Sequence, residues 1–121
     1  MKKILVVEDD QVIAKVIDDA LQKAGFEVLK AVDGYQGQQT VLSQKPDLVV
    51  LDLMLPAGNG VELLQNLRKS TLTQTIPIIV TTSFRDEEVK KEMEQVGVQG
   101  YFYKPFEPSE LIDKIKIILK V

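Results

Sequence analysis

The chain has 121 residues, 15 Lys and Arg against 18 Asp and Glu, a net charge of -3 and 45% hydrophobic residues. That length suits one domain, spanning 1–121, with a core that needs no staples. Cysteine and histidine are both absent, which excludes disulfides, thiolate metal sites, an imidazole general base and a phosphohistidine of the chain's own. The mild acidity gives no support for nucleic-acid binding by this domain, and no basic run suggests a membrane surface.

Residues 4–7 are a short apolar run that ends in Glu8, Asp9 and Asp10. This start imitates a signal peptide, but acids arrive at Glu8 and no small-residue cleavage site follows, so it reads as a buried strand. No apolar segment is long enough to span a bilayer, and the expected setting is cytoplasmic. Over 11–24, Val12, Ile13, Val16, Ile17, Ala20, Leu21 and Ala24 recur at helical spacing on one broad face. Asp10 or Asp9 can cap that helix, and Gly25 ends it. Residues 26–32 read as a second, less apolar strand, stopped by Asp33 and Gly34. A weak helix is expected over 35–44, because Gly37 and the glutamines leave it little apolar face; Pro46 breaks it.

Residues 47–52 form the central strand, in which Asp52 is the one carboxylate inside the apolar stretch 48–56. A loop follows over 56–60, then a helix over 61–69 with Leu63, Leu64 and Leu67 inward. After a polar linker at 70–75, a fourth buried strand spans 77–81 and runs into Thr82 and Ser83. A charged helix over 86–96 carries only a narrow stripe of Val89, Met93 and Val96, and Gly97 ends it. A fifth strand over 99–103 leads to Lys104 and Pro105. Pro108 and Ser109 open the last helix, where Leu111, Ile112, Ile115, Ile118 and Leu119 face the core.

Strands alternating with helices imply an α/β fold, with a parallel sheet, right-handed crossovers and helices on both faces. In such sheets ligands bind beyond the carboxyl ends of the strands. Glu8, Asp9 and Asp10, then Asp52, Thr82, Ser83 and Lys104, all fall at such ends. A buried carboxylate costs several kcal/mol unless a cation or donors meet it. Several converging carboxylates therefore call for a cation, and all-oxygen ligation favours Mg²⁺ or Mn²⁺. Asp9 and Asp52 are the ligand candidates, with Glu8 ligating through water. Lys104 adds a second positive charge and Thr82 a hydroxyl donor. Metal, ammonium and hydroxyl together suit a phosphoryl group, which makes Asp52 the natural nucleophile.

The residues that carry this pattern are Ile4 to Asp10, Asp52 to Pro56 with Gly60, Pro77 to Thr82, and Lys104 to Phe106. With all four blocks in order, the chain closely resembles the receiver domain of two-component response regulators, the CheY-like family. The resemblance covers essentially the whole chain. It implies a doubly wound, flavodoxin-like five-stranded parallel sheet in the order 2-1-3-4-5, with Asp52 as phosphoacceptor and Asp9 as direct metal ligand. It further implies that the backbone carbonyl of Met54 completes the Mg²⁺ site and that Thr82 and Tyr101 are switch residues. Lys104 would pair with the phosphate, and the Lys104–Pro105 bond would be cis. The phosphoryl donor would be a histidine kinase or phosphotransfer protein. The domain would be a switch that assists its own phosphorylation and dephosphorylation, and no turnover enzyme is implied.

Some positions depart from the family pattern. Gly100 replaces a frequent acidic residue, and Val98 and Gln99 replace small and acidic ones. Ser83 follows Thr82. Phe84 and Met54, two places after Thr82 and Asp52, are bulky and apolar where the family tunes hydrolysis, so slow autodephosphorylation is expected. The signal is expected to leave through the face of the fourth helix, fifth strand and fifth helix, where Ile117 and Val121 offer a surface for a downstream protein or a homodimer. With the sequence ending at Val121, a stand-alone regulator and the receiver piece of a longer one are both open. Three rivals are weaker. An FMN carrier would have its phosphate repelled by Glu8, Asp9 and Asp10. A haloacid-dehalogenase-type phosphatase wants an Asp where Met54 stands. A receiver-like domain that is never phosphorylated sits poorly with the complete set of Asp9, Asp52, Thr82 and Lys104.

Overall fold

In a computed structural model of the chain, residues 1–55 and 60–121 are described. Of the expected loop, 56–59 therefore lie outside the described residues. The elements are β1 (Lys3–Val7), α1 (Gln11–Lys23), β2 (Glu27–Ala31), α2 (Gly34–Gln44), β3 (Leu48–Asp52), α3 (Gly60–Lys69), β4 (Ile78–Thr82), α4 (Glu87–Val96), β5 (Gly100–Tyr103) and α5 (Pro108–Leu119). The five strands form one parallel sheet in the order β2-β1-β3-β4-β5. This is the doubly wound α/β fold the sequence implied. Its topological switch point lies between β1 and β3, where the strand order reverses.

The three inner strands show why their sequences are apolar throughout. Side chains alternate between two faces, and helices cover both. Leu5, Val7, Val49, Leu51, Ile78 and Val80 join Leu63, Leu64 and Leu67 of α3 and Met93 of α4 in one cluster. Ile4, Val6, Leu48, Val50 and Ile79 join Ile17 and Leu21 of α1 and Leu111 and Ile115 of α5 in the other. Each such side chain fully buried stabilises the fold by about 1.5–3 kcal/mol.

Caps set the helix boundaries. Asp10, not Asp9, caps α1, its side chain accepting from the amides of Val12 and Ile13. Asp33 caps α2 and Asp86 caps α4 in the same way. Gly25 and Gly97, at φ of 92° and 122°, follow α1 and end α4. Gly60 belongs to α3 as its first residue, not to the loop before it.

Two expectations about helix faces need correction. In α1, Val12 and Val16 do not join the core; they are 75% and 49% exposed, while Ala14 and Asp18 turn inward. The helix covers the sheet with a stripe narrower than its apolar residues, and Asp18 tolerates burial because Gln22 donates to it at 2.6 Å and Lys30 pairs with it at 3.0 Å. In α2, Gly37 is the packing contact itself. A Cβ there would lie 2.8 Å from Leu63 Cδ2 and 3.3 Å from Val7 Cγ2, so the missing side chain lets the helix approach α3 and the sheet.

Candidate functional site

The site forms where β1, β3, β4 and β5 end. Asp52 is the last residue of β3, 5% exposed, and stands in register with Thr81 of β4. Glu8 follows β1 directly and is 2% exposed. Its backbone amide donates to Ala31 O at 3.0 Å, so the sheet ladder continues one residue past β1 and carries Glu8 to the edge of the crevice. Asp9 is exposed at the rim. Carboxylate oxygens of Glu8, Asp9 and Asp52 all lie within 4.8 Å of one another.

Lys104 enters from β5. Its amide donates to Thr82 O at 2.8 Å, which aligns it with the end of β4. Its ammonium donates to Glu8 Oε1 at 2.6 Å and lies 3.3 Å from Asp52 Oδ2. One cation thus offsets two nearly dry carboxylates. Burial pushes Glu8 up, to about 7; the hydrogen bond from Lys104 opposes this, and the neighbouring Asp52 reinforces it. Burial by itself pulls Lys104 down, but Glu8 and Asp52 outweigh it and hold the ammonium above the ordinary lysine value. The Lys104–Pro105 bond is cis, as the resemblance implied.

The backbone amides shape what remains. Met54 N–H donates to Asp52 Oδ1 at 3.1 Å, and Asp10 N–H donates to Glu8 Oε2 at 3.2 Å. The Met54 side chain is 56% exposed, as is 47% of Phe84. Thr82 is fully buried at the end of β4, and its hydroxyl accepts from Phe84 N–H at 3.0 Å. Tyr101 stands apart from the carboxylates. It packs against the cluster under α4, edge-on to Tyr103 at 5.7 Å, and burial pushes its hydroxyl up to about 12. The structure therefore brings Glu8, Asp9, Asp52 and Lys104 together, sets Thr82 beside Lys104 along the strand ends, and keeps Tyr101 on the α4 side.

Three hard oxygen donors with no nitrogen or sulfur among them fit a Mg²⁺ or Mn²⁺ ion. Sequence reasoning missed two features nearby. One is the direct Glu8–Lys104 pair, which joins residues 96 apart. The other is a groove of about 360 Å³ beside Lys104, walled by Val12, Val16, Pro105 and Phe106. The apolar exposure of Val12 and Val16 was its only signal, and it was read as core.

The chain matches the family model of the response regulator receiver domain over residues 4–116. It is 40% identical over 119 residues to the phosphate regulon transcriptional regulatory protein PhoB of Pseudomonas aeruginosa, covering 98% of this chain and 52% of that protein. It is 38% identical over 120 residues to the alkaline phosphatase synthesis transcriptional regulatory protein PhoP of Bacillus subtilis, covering 98% of this chain and 49% of that one. The chain thus spans about half the length of these curated relatives. Among solved structures, a response regulator from Chloroflexus aurantiacus superposes with a TM-score of 0.92 at 34% identity, covering 99% of this chain and 98% of that one. A CheY-like receiver domain protein from Methanospirillum hungatei gives a TM-score of 0.92 at 30% identity, covering 99% and 94%. Fold, strand-end chemistry and sequence converge, and the chain belongs to the response regulator receiver domain family, the phospho-acceptor switches of two-component systems.

Proposed function

We propose that residues 1–121 act as one receiver unit in which Asp52 accepts a phosphoryl group from a histidine kinase or phosphotransfer protein. The observation that carries this is the crowding of Glu8, Asp9 and Asp52 within 4.8 Å around the Lys104 ammonium. Asp52 attacks through a carboxylate oxygen. A P–O bond forms to Asp52 as the donor's P–N bond breaks, and the electron pair leaves with the imidazole nitrogen, which then carries the proton. The histidine belongs to the donor, because this chain has none.

Asp9 and Asp52 through carboxylates, Met54 through its backbone carbonyl and Glu8 through water are the residues proposed to hold Mg²⁺ or Mn²⁺. When bound, that ion supplies charge neutralisation for the crowded oxygens and the incoming phosphoryl group. Lys104 exchanges part of its contact with Glu8 for a phosphoryl oxygen. The Met54 amide orients Asp52. Thr82 turns its hydroxyl toward the phosphoryl group, and Tyr101 responds by moving further inward. A phosphoryl group adds charge and strong acceptors, so it biases whichever element has two arrangements. The proposed readout is the face of α4, β5 and α5, presented to an output domain, a partner protein or a second copy. There Ile117 is 72% and Val121 is 61% exposed. The domain is a switch that assists its own phosphorylation and dephosphorylation, with a cytoplasmic setting. No helix among the described residues is long and apolar enough to cross a membrane.

The test is intact mass after incubation with Mg²⁺ and acetyl phosphate, with Asp52→Asn alongside. One phosphate adduct on the wild type, dependent on Mg²⁺ and absent from the variant, is expected. No adduct on either protein would turn the reading toward a partner-binding domain that is never phosphorylated. An adduct on both would remove Asp52 as the sole acceptor.

A further inference from the structure

The two edges of the sheet are guarded differently. β2, at one edge, carries the exposed charges of Glu27 and Lys30 within the strand, and charged side chains on an edge strand deter pairing with another chain. β5, at the other edge, has no charged residue of its own. It pairs with β4 on one side only. On its free side, alternate backbone N–H and C=O groups of Gly100 to Tyr103 point away from the sheet. Among the described residues, no hydrogen bond from outside the sheet meets the backbone of these four residues.

This free edge opens into a groove of about 320 Å³ between α4 and α5, lined by Lys90, Glu94, Gly100, Tyr101, Phe102 and Lys114. Lys90 stands on the α4 side of the strand, 5.8 Å from both the Tyr101 and Tyr103 rings. Lys114 stands on the α5 side. A Cβ at Gly100 would lie 3.4 Å from Lys114 Cγ, so the lysine stem runs close against the strand there. Both lysines are half-buried, and Glu94 is exposed. Among the described residues neither lysine has an ion pair, although Glu94 follows Lys90 by one helical turn.

We infer that the β5 edge takes an extended segment of a partner protein as an added strand, and that this segment carries two adjacent carboxylates. Main-chain hydrogen bonds hold such a strand, and its side chains select it. Successive side chains of a strand point to opposite faces, so neighbouring carboxylates reach Lys90 on one face and Lys114 on the other. Carboxylates two residues apart share a face and reach one lysine only. The same lysines disfavour a second copy of this chain, because pairing β5 with itself brings like charges together. The inference names the partner chemistry of the face proposed above as the readout, and only its coupling to phosphorylation rests on that reading.

The probe is the peptide acetyl-Thr-Val-Glu-Glu-Val-Thr-amide, titrated to millimolar concentration into the isotope-labelled chain and followed by amide NMR. The titration is run without and with Mg²⁺ and beryllofluoride as phosphoryl mimic. The resonances of Gly100 to Tyr103 are expected to shift, and those β5 amides that exchange fast in the free protein to slow several-fold near saturation. A peptide with Gln-Gln at its centre, and one with the order Thr-Glu-Val-Glu-Val-Thr, are each expected to bind several-fold more weakly. Lys90→Gln and Lys114→Gln should each weaken the Glu-Glu peptide several-fold. Shifts without slowed exchange overturn strand addition, and equal binding of the Glu-Glu and Gln-Gln peptides overturns the selection by the lysines. No binding in either state overturns the docking and leaves the acceptor reading to the mass adduct. Equal binding in both states upholds the docking and removes this face as the phosphorylation readout. Shifts of the same amides on raising the protein concentration alone would assign the edge to a second copy and overturn the acidic partner.

Discussion

Replacing Gly60 by alanine tests how tightly the chain after Asp52 is packed against the strand that carries it. A Cβ at Gly60 would meet the Asp52 carbonyl oxygen, and would lie 2.7 Å from Leu53 Cα and 2.8 Å from Leu53 O, where ordinary contact begins near 3.4 Å. All three atoms are backbone, so no side chain can rotate out of the way. Gly60 N–H also donates to Leu53 O at 3.2 Å, which holds the two segments at this spacing. Overpacking of this kind costs about 1–3 kcal/mol. With a urea dependence of about 2 kcal/mol per molar, the unfolding midpoint should fall by about 0.5–1.5 M. Gly37→Ala is the internal control. Its nearest obstacle is the end of the Leu63 side chain at 2.8 Å, which can shift, and alanine gains up to about 1 kcal/mol of helix propensity over glycine. Urea unfolding followed by circular dichroism reads both. Gly60→Ala should be the less stable of the two, and should also slow phosphorylation from acetyl phosphate, because the strained backbone is that of Asp52. A Gly60→Ala midpoint equal to that of the wild type would refute the packing argument.

Other expected outcomes follow from the same geometry. Gln22, ahead of Lys30, holds Asp18 below its ordinary value of 3.8. A depressed carboxylate stabilises the fold above its unfolded value and loses that contribution as pH falls through the folded one. Asp18→Asn should therefore lower stability at pH 7, by about 1–2 kcal/mol for a lost hydrogen bond to a charged group, and the gap should narrow progressively in urea titrations as pH falls from 3.8 through the lower folded value. An equal gap at both pH values would point to a packing effect. Phe84→Ala combined with Met54→Asn should open water access to the phosphoryl group and speed its loss several-fold. Loss is followed by intact mass after removal of the donor; an unchanged lifetime would show that these side chains do not screen the attacking water. Ile117→Lys should weaken phosphorylation-dependent association, read by sedimentation with beryllofluoride, while leaving the Asp52 adduct intact. Unchanged association would remove this part of α5 from the interface.

Asp52 was legible because nothing but a polar crevice explains a carboxylate in the run from Leu48 to Leu55. Glu8, Thr82 and Lys104 were legible through their places after apolar runs, since strand ends in such sheets face the ligand side. Arg68 was not. It donates to the backbone carbonyls of Gly97 at 2.9 Å and Gln74 at 3.1 Å, and a carbonyl leaves no mark in a sequence. Val12 and Val16 were misread for a related reason: helical spacing shows which residues share a face, but not how wide a stripe the neighbouring strands and α5 will cover.

By itself, then, the order of residues determined the alternation of strands and helices, a cap for the first helix at Asp10 or Asp9, and the choice of oxygen chemistry. Those follow from local backbone preferences, from periodicity and from which side chains exist at all. Tertiary structure decided the rest. It paired Lys104 with Glu8 across 96 residues, drew α2 against Leu63 at Gly37, left Val12 and Val16 facing a groove, and joined Arg68 of α3 to the Gly97 carbonyl that ends α4. Each of these depends on the distance between segments far apart in the chain, which the packing of the sheet and its helices sets.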